Sequence, residues 1–399
     1  MRPGRSIPPA ATPIFARDLY RGITGLFQGG HSGKLEEEIR EFFGALHVFP
    51  VSSGKAALTL ILEGLSSLRH RKKVIIPGYI CYSVPSAVRK SGLEIIPCDL
   101  RPETLDFDYS RLEKLVDDET LCILSAHLFG IPADMDRIRR IAGERNIFLV
   151  EDAAQAMGVV YGGRKLGSIG DVGFFSLGRG KHITCGSGGI IITCSEEIAA
   201  AISSPFDRLD GGSLQESAGT LLELFMMKVF MNSYLYWLPD GLPFLKIGET
   251  RFFENFPVSK MNDAKSGALY YWKEKLECMN NIRRNISEEY KNRLGIKRNI
   301  EIYSFDIPYL RFPVYMRDEE HKRRLCHEYR HYGVSPMYPC SVDSIAEIKG
   351  SVAGYDATLS ARIAKTMVTL PTHNLVDETS RDRICDAVIG AMRPDFRNG

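Results

Sequence analysis

What this sequence of 399 residues lacks narrows its reading first. Its nine cysteines are odd in number and none stands in a Cys-x-x-Cys pair, which removes zinc-ribbon and thioredoxin-type readings. Most lie in apolar stretches such as Leu121-Cys122-Ile123-Leu124, the habit of buried free thiols in a reducing cytoplasm. An excess of one charge is missing too. Fifty-one basic side chains against 49 acidic ones leave a net charge of +2, too weak a field to argue for a nucleic acid or an anionic membrane. No stretch reaches the roughly 18 apolar residues of a membrane-spanning helix. Met1-Arg2-Pro3-Gly4-Arg5-Ser6-Ile7-Pro8-Pro9 lacks the apolar centre of a signal peptide, so a cytoplasmic location is expected. No metal-ligand spacing stands out.

What is there alternates. Short apolar runs are expected as strands at 73–77 (KVIIP), 93–97 (LEIIP), 121–126 (LCILSA), 147–151 (IFLVE), 171–177 and 189–193 (GIIIT). Helical periodicity falls between them at 56–65, 84–90, 111–116 and 134–145. This is the pattern of a mostly parallel sheet covered on both faces. In such folds the chemistry gathers where strands end in loops at the carboxyl edge. Residues 1–34, rich in Gly and Pro, read as irregular, followed by an amphipathic helix over 34–46. Residues 48–53 read as an extended run interrupted by Pro50. The alternation fails after about residue 200, where 204–255 read as an irregular insertion. One long helix or two broken ones are expected over 262–294, then mixed elements to the end. The expected division is a large α/β domain over 1–250, with an N-terminal arm and the insertion, and a smaller α+β domain over 251–399.

Chemistry concentrates between residues 150 and 190. Asp152 directly follows a buried strand, where a carboxylate is costly without a cationic partner. Capping a helix is its blander role. Lys181 lies in a loop with Gly178, Gly180, Gly186, Ser187, Gly188 and Gly189. Most lysines are solvated, but one held in a dry pocket has a depressed pKa and becomes a nucleophile. Ser176 offers a hydroxyl five residues earlier. Ser53 and Gly54 open the helix over 56–65, and a helix N-terminus favours phosphate.

These residues, in this order, resemble the DegT/DnrJ/EryC1/StrS family of pyridoxal-phosphate-dependent sugar aminotransferases. The similarity begins at Gly33-Lys34-Leu35-Glu36-Glu37-Glu38 and Ser52-Ser53-Gly54-Lys55-Ala56-Ala57-Leu58. It continues through His127-Leu128-Phe129-Gly130, Glu151-Asp152-Ala153-Ala154-Gln155, Phe175-Ser176, Lys181 and Gly188-Gly189, and ends at Leu370-Pro371-Thr372-His373. The resemblance implies a PLP-transferase type I fold with a seven-stranded-type sheet, pyridoxal 5′-phosphate as cofactor, and a homodimer with shared active sites. It makes Lys181 the Schiff-base lysine and proton shuttle, Asp152 the partner of the ring nitrogen, and Gln155 the contact to the ring hydroxyl. Ser176 then holds the phosphate with the backbone of Gly54 and Lys55, beside Ser53. The implied reaction moves an amino group, from glutamate, to a nucleotide-linked keto sugar in amino-sugar or surface-polysaccharide synthesis.

Four departures stand against the family pattern. Lys55 replaces a small hydroxyl residue in the phosphate turn. Cys81 aligns with the aromatic that stacks on the cofactor, leaving Tyr79 and Tyr82 as substitutes. Ser187 replaces an acidic residue, and Pro257-Val258-Ser259-Lys260-Met261 replaces an Asn and an Arg. A sugar dehydratase, an amino-acid enzyme of the same fold and a non-catalytic relative are the alternative readings. His182, beside Lys181, reads as structural. The apolar stretch 220–238 (TLLELFMMKVFMNSYLYWL) leaves peripheral membrane contact as a minor reading, with burial against protein preferred.

Overall fold

The structure is a computed structural model that describes residues 4–28, 30–242, 250–296, 301–303, 306–352 and 354–396. Its centre is set by strands whose side chains are buried on both faces, since a parallel sheet sandwiched by helices leaves no wet side. Every residue of β4 (Thr120–Ala126) and β5 (Phe148–Asp152) is buried. With β1 (His47–Val51), β2 (Lys73–Pro77), β3 (Glu94–Cys98), β8 (Val172–Ser176) and β9 (Gly189–Thr193) they form one seven-stranded sheet. A small antiparallel hairpin, β6 (Val160–Tyr161) and β7 (Arg164–Lys165), precedes β8. The order is β1-β9-β8-β5-β4-β2-β3. β3, β2, β4, β5 and β8 run parallel, and β9 is antiparallel to both β8 and β1. Pro50 does not interrupt β1. It pairs with Ile190 inside the strand, which lies at the sheet edge, where a missing N–H breaks no ladder on the open side.

A second, two-stranded sheet joins β10 (Arg311–Tyr315) to β11 (Met367–Pro371), flanked by helices Glu319–Glu328 and Glu378–Ala391. The helical pattern over 262–294 is broken into Asp263–Ala268 and Trp272–Arg293. Before that, Ser259, Lys260 and Met261 are still tied to the β1 region, Met261 N–H donating to Pro50 at 3.1 Å.

Two expectations of irregular chain are corrected. Residues Ala16–Gln28 form a helix, and His31–Phe43 another. Gly22 and Gly25, which weaken the helical signal, are needed by the packing. A Cβ on Gly25 would lie 2.5 Å from the Asp263 carbonyl oxygen, and one on Gly267 would lie 2.3 Å from that of Arg21. The glycines let two helices touch backbone to backbone. The expected insertion is also helical, over Leu214–Phe230, started by a reciprocal capping box between Ser213 and Glu216. Its residues 243–249 lie outside the described residues. Ser217, Thr220, Leu224 and Met227 of this helix are buried, whereas Leu222, Phe225 and Met226 are exposed. Among the described residues no helix is long and apolar enough to cross a membrane.

Candidate active site

The carboxyl ends of β1, β4, β5 and β8 converge on a cavity of about 370 Å³. Ser53, Gly54, Lys55, Cys81, Asp152, Gln155, Ser176 and Lys181 all line it. Tyr82 does not face it in this way: its phenol oxygen accepts from the Cys340 N–H (3.2 Å) and lies 2.8 Å from the Cys340 sulfur. Tyr79 is fully buried with its oxygen on Tyr338 N–H. Neither tyrosine is turned to serve as a ring stacked in the cavity. Cys81 reaches the wall there, with Ser83 Oγ donating to its sulfur at 3.0 Å.

Asp152 ends β5. One carboxylate oxygen accepts from Ala154 N–H at 3.0 Å. Burial pushes its pKa up, opposed by that bond and by the nearby charge of Lys181. The strand end is fixed from behind. The Glu151 carboxylate, wholly buried, accepts from His127 Nε2 (2.9 Å) and from the N–H groups of Gly167, Ile169 and Gly170. Burial would raise the Glu151 pKa, but these bonds win and hold it below the usual value. His127 Nδ1 accepts from Ala133 N–H at 3.1 Å, which leaves Nε2 to donate to Glu151. His127 N–H also donates to the Asp152 carbonyl at 3.1 Å.

Lys181 lies in the loop between β8 and β9. Its amine makes no hydrogen bond or ion pair among the described residues. Burial lowers its pKa and Arg311 adds repulsion, while Cys81 and Asp152 work the other way. Its backbone, in contrast, is clamped. The Lys181 carbonyl accepts from Thr12 Oγ1 and from the buried guanidinium of Arg283 (3.4 Å). Arg283 also donates to Thr12 Oγ1 (3.0 Å) and the His182 carbonyl (3.4 Å). Burial brings the Arg283 pKa down to about 9. His182 bonds Asn280 Oδ1 (2.8 Å) and the Gln155 carbonyl (2.9 Å), and burial lowers its pKa to about 3. It is a neutral packing residue.

Gln155 is oriented on both ends: Phe129 N–H donates to Oε1 (3.2 Å) and Nε2 donates to the Tyr338 hydroxyl (2.8 Å). At the opposite end, Ser53 caps the Gly54–Leu68 helix by accepting from Ala56 N–H. A Cβ on Gly54 would sit 2.9 Å from the Ser176 Cβ, so the helix start and Ser176 form one narrow cradle. Gly189 serves the same end, because a side chain there would strike the Ser53 carbonyl at 2.4 Å. Among the described residues Lys55 pairs with no carboxylate and is half-buried. Its ammonium lies 3.7 Å from the Phe253 ring centre and 4.5 Å from that of Phe256, and burial lowers its pKa. Ser187, in place of an acid, accepts from Lys265 Nζ at 3.0 Å.

The sequence reading missed Thr250, Arg251 and Phe253, which also line the cavity, and the supports Thr12, Arg283 and Tyr338. Only Phe252-Phe253 beside a basic residue gave a local signal. The others are brought in from far along the chain.

Comparison with known proteins fits this arrangement. Residues 20–216 match the model of the DegT/DnrJ/EryC1/StrS aminotransferase family. Over those residues the chain belongs to the DegT/DnrJ/EryC1/StrS family. Among similar relatives, "Lipopolysaccharide biosynthesis protein RfbH" of Salmonella typhimurium is 30% identical over 210 residues, 50% of this chain and 48% of that protein. An L-glutamine:2-deoxy-scyllo-inosose aminotransferase of Streptoalloteichus tenebrarius is 36% identical over 181 residues, 44% and 42% of the two chains. The chain thus spans about half the length of the curated relatives it matches. The Helicobacter pylori aminotransferase PseC, described as involved in the biosynthesis of pseudoaminic acid, superposes with a TM-score of 0.78. That match covers 97% of this chain and 99% of PseC at 15% identity. The likeness in fold therefore extends past residue 216, through nearly the whole chain.

Proposed function

We propose that this protein is a pyridoxal-phosphate-dependent aminotransferase that carries an amino group from an amino acid to a nucleotide-linked keto sugar. Glutamate is the proposed donor, although one relative's name specifies L-glutamine. The observation that carries the reading is the pairing, in one cavity, of a buried Asp152 and a Lys181 amine, neither of which has a bonded counter-ion among the described residues.

The residues present fit that cofactor. Asp152 lacks the cation that its burial calls for, and a protonated ring nitrogen would be one. The Gly54–Ser176 cradle admits no Cβ, and offers the N–H groups of Gly54 and Lys55 with a serine hydroxyl to a phosphate. Gln155 retains donor capacity on Nε2 for the ring hydroxyl. Bound there, pyridoxal phosphate supplies an electron sink for the pair left when a C–H bond breaks. The chain's own groups do the rest. Lys181 would hold the cofactor, and its depressed pKa favours the neutral amine that would take the donor's α-proton and deliver a proton to the acceptor carbon. Burial raises the Asp152 pKa and a facing cation would lower it, so cofactor binding and its charge are coupled. The Thr12–Arg283 clamp keeps the lysine backbone still while its side chain moves.

We read the chain as two domains, 1–250 and 251–399, and as a cytoplasmic homodimer with shared sites. Support for the dimer comes from apolar side chains left exposed on two touching helices. These are Tyr20, Ile23 and Phe27 on Ala16–Gln28, and Leu222, Phe225 and Met226 on Leu214–Phe230. A second copy accounts for them without a membrane.

The test is a visible spectrum of the protein with pyridoxal phosphate before and after glutamate or glutamine, then borohydride reduction and peptide mapping. A yellow band that bleaches with the amino acid and a label on Lys181 are expected. A label elsewhere, or none, would overturn the assignment. A label on Lys181 with no response to any amino donor would turn the reading toward elimination chemistry.

A further inference from the structure

Lys322 is a buried cation with no part in the chemistry described so far. It stands on the Glu319–Glu328 helix. Burial lowers its pKa to about 8, while Cys326 and Glu319 of the same helix act the other way, so the amine keeps its charge at neutral pH. Among the described residues no carboxylate bonds to it. Its ammonium donates instead to two carbonyls, that of Pro336 at 3.1 Å and that of Ala364. The Ala364 carbonyl lies in the last turn of the Thr358–Thr366 helix, where carbonyls lack partners within their own helix and a cation is favoured. The bond to Pro336 has no such local reason.

Pro336 lies in a stretch of chain that crosses from the β10–β11 sheet to the cavity wall. At one end, Ser335 exchanges two backbone bonds with Thr369 of β11, at 3.1 and 2.8 Å. At the other, Tyr338 N–H donates to the Tyr79 hydroxyl (3.2 Å), and the Tyr338 hydroxyl accepts from Gln155 Nε2 (2.8 Å). Val342 N–H then donates to the Gly78 carbonyl at 2.8 Å. Between these ties Met337 sits in the left-handed region, with φ 60°. That conformation is strained for a methionine and persists only where the surroundings hold it. Met337 N–H has just a long bond to Ser335 Oγ, at 3.4 Å. The charge-assisted bond from Lys322 falls on the carbonyl of the peptide that joins Pro336 to Met337. It fixes the plane from which the Met337 backbone turns.

Gln155 is where this matters. An amide can turn over, exchanging its donor and acceptor ends. Phe129 N–H on Oε1 and the Tyr338 hydroxyl beside Nε2 together select one orientation. The first partner comes from the sheet side of the cavity and the second from the strained turn.

We propose that Lys322 is a positioning residue for the cofactor site. By holding the Pro336 carbonyl it sets the turn at Met337 that presents the Tyr338 hydroxyl to Gln155, and so keeps the Gln155 donor aimed at the ring hydroxyl. This rests on the pyridoxal-phosphate reading of the cavity. It makes a lysine outside the cavity, on a helix of the second sheet, part of what orients the cofactor.

The experiment is a double-mutant cycle of Lys322→Met and Tyr338→Phe, read in three ways. Equilibrium dialysis gives the affinity for pyridoxal phosphate. Hydrogen exchange of the cofactor-free protein follows the peptide that holds Phe129. Urea unfolding gives stability. Each single variant is expected to weaken cofactor binding by about 3- to 10-fold and to speed exchange at Phe129. The double variant should be no worse than the weaker single one, because both changes cut the same path. Lys322→Arg, which keeps a cation for the carbonyls, should recover most of the affinity. A merely structural lysine would lower the urea midpoint and leave affinity and exchange at Phe129 as in the wild type. That result overturns the proposal, and so do losses of affinity that multiply in the double variant. Lys322→Gln, which keeps a donor for one carbonyl, answers the same question if Lys322→Met does not fold. Should the wild type bind no pyridoxal phosphate at all, the cofactor reading falls. Faster exchange at Phe129 in Lys322→Met would then still establish the hold on Gln155.

Discussion

Lys181 and Lys275 are both lysines whose pKa burial pushes down, and they sit in regions built on opposite rules. Around Lys275 the protein satisfies its own charges: the ammonium is bonded to Asp18, which also caps the start of the Ala16–Gln28 helix by accepting from Phe15 N–H. The pair ties the N-terminal helix to the long Trp272–Arg293 helix. Around Lys181 the satisfied groups stop at the backbone. Thr12, Arg283, His182 and Asn280 hold the loop, and beyond them the amine and Asp152 face the cavity with no bonded counter-ion among the described residues. Where burial is compensated from within, the region supports the fold. Where it is left open, the region is built for something that arrives from outside.

That difference can be broken by substitution, and the largest effect belongs to Lys181. Lys181→Ala should cut turnover by about 10⁴-fold or more, read in single-turnover assays, while the melting temperature of the cofactor-free protein stays level or rises. A large loss of stability would mean that Lys181 is structural like Lys275. Next is Asp152→Asn, with an expected loss of about 10²- to 10⁴-fold in turnover. This variant also tests the electrostatics without catalysis. Burial raises the Asp152 pKa above its unfolded value, so the cofactor-free fold keeps a proton that the unfolded chain gives up. Stability of the cofactor-free wild type therefore falls as pH rises from about 4 toward the folded value. Asp152→Asn should flatten that slope in urea titrations between acid and neutral pH, and added pyridoxal phosphate should reduce it in the wild type.

Lys275→Met should act on stability in the opposite sense, costing about 3–5 kcal/mol because it strands Asp18. The double change Lys275→Met with Asp18→Asn should regain most of that loss in denaturant unfolding. If the single and double variants are equally unstable, the pair is not what holds the two helices. Thr12→Val is smaller. Losing a hydroxyl shared by the Lys181 carbonyl and Arg283 should cost about 1–2 kcal/mol. It should also shift the pH midpoint of the Lys181-bound chromophore, which a purely structural residue would leave alone.

How much of this was legible in the sequence follows the same divide. The sheet was readable because β4 and β5 are apolar on both faces, and buried parallel strands announce themselves as continuous runs. Asp152, Gln155, Ser176 and Lys181 were readable because their spacing falls within one stretch of chain. The N-terminal helix was not, since Gly22 and Gly25 argue against a helix locally and make sense only against the backbone of Asp263 and Ala264. Thr12, Arg283 and Tyr338 reach the site from three distant places, and no local pattern marks a threonine or an arginine that will bond a carbonyl 170 or 100 residues away. Tyr82, just before the Ser83–Lys90 helix, could not be oriented from the sequence, and the Cys340 N–H holds its phenol away from the cavity.

Lys55 gives the smallest and sharpest test, because it stands on the boundary between the two kinds of region. It opens the phosphate cradle by position, yet its ammonium rests on Phe253 and Phe256, neutralised by ring faces and not by an anion. A cation over two rings at a half-buried site contributes about 0.5–2 kcal/mol. Lys55→Met keeps the volume and the backbone N–H, so it should lower stability by about that amount while leaving the affinity for pyridoxal phosphate within about twofold. Equilibrium dialysis of the cofactor and chemical denaturation measure the two quantities separately. A tenfold loss of cofactor affinity would mean that the side chain leaves the rings for the phosphate. Lys55 would then belong with Lys181 among the groups left open for a ligand, and Phe253 would be its resting place.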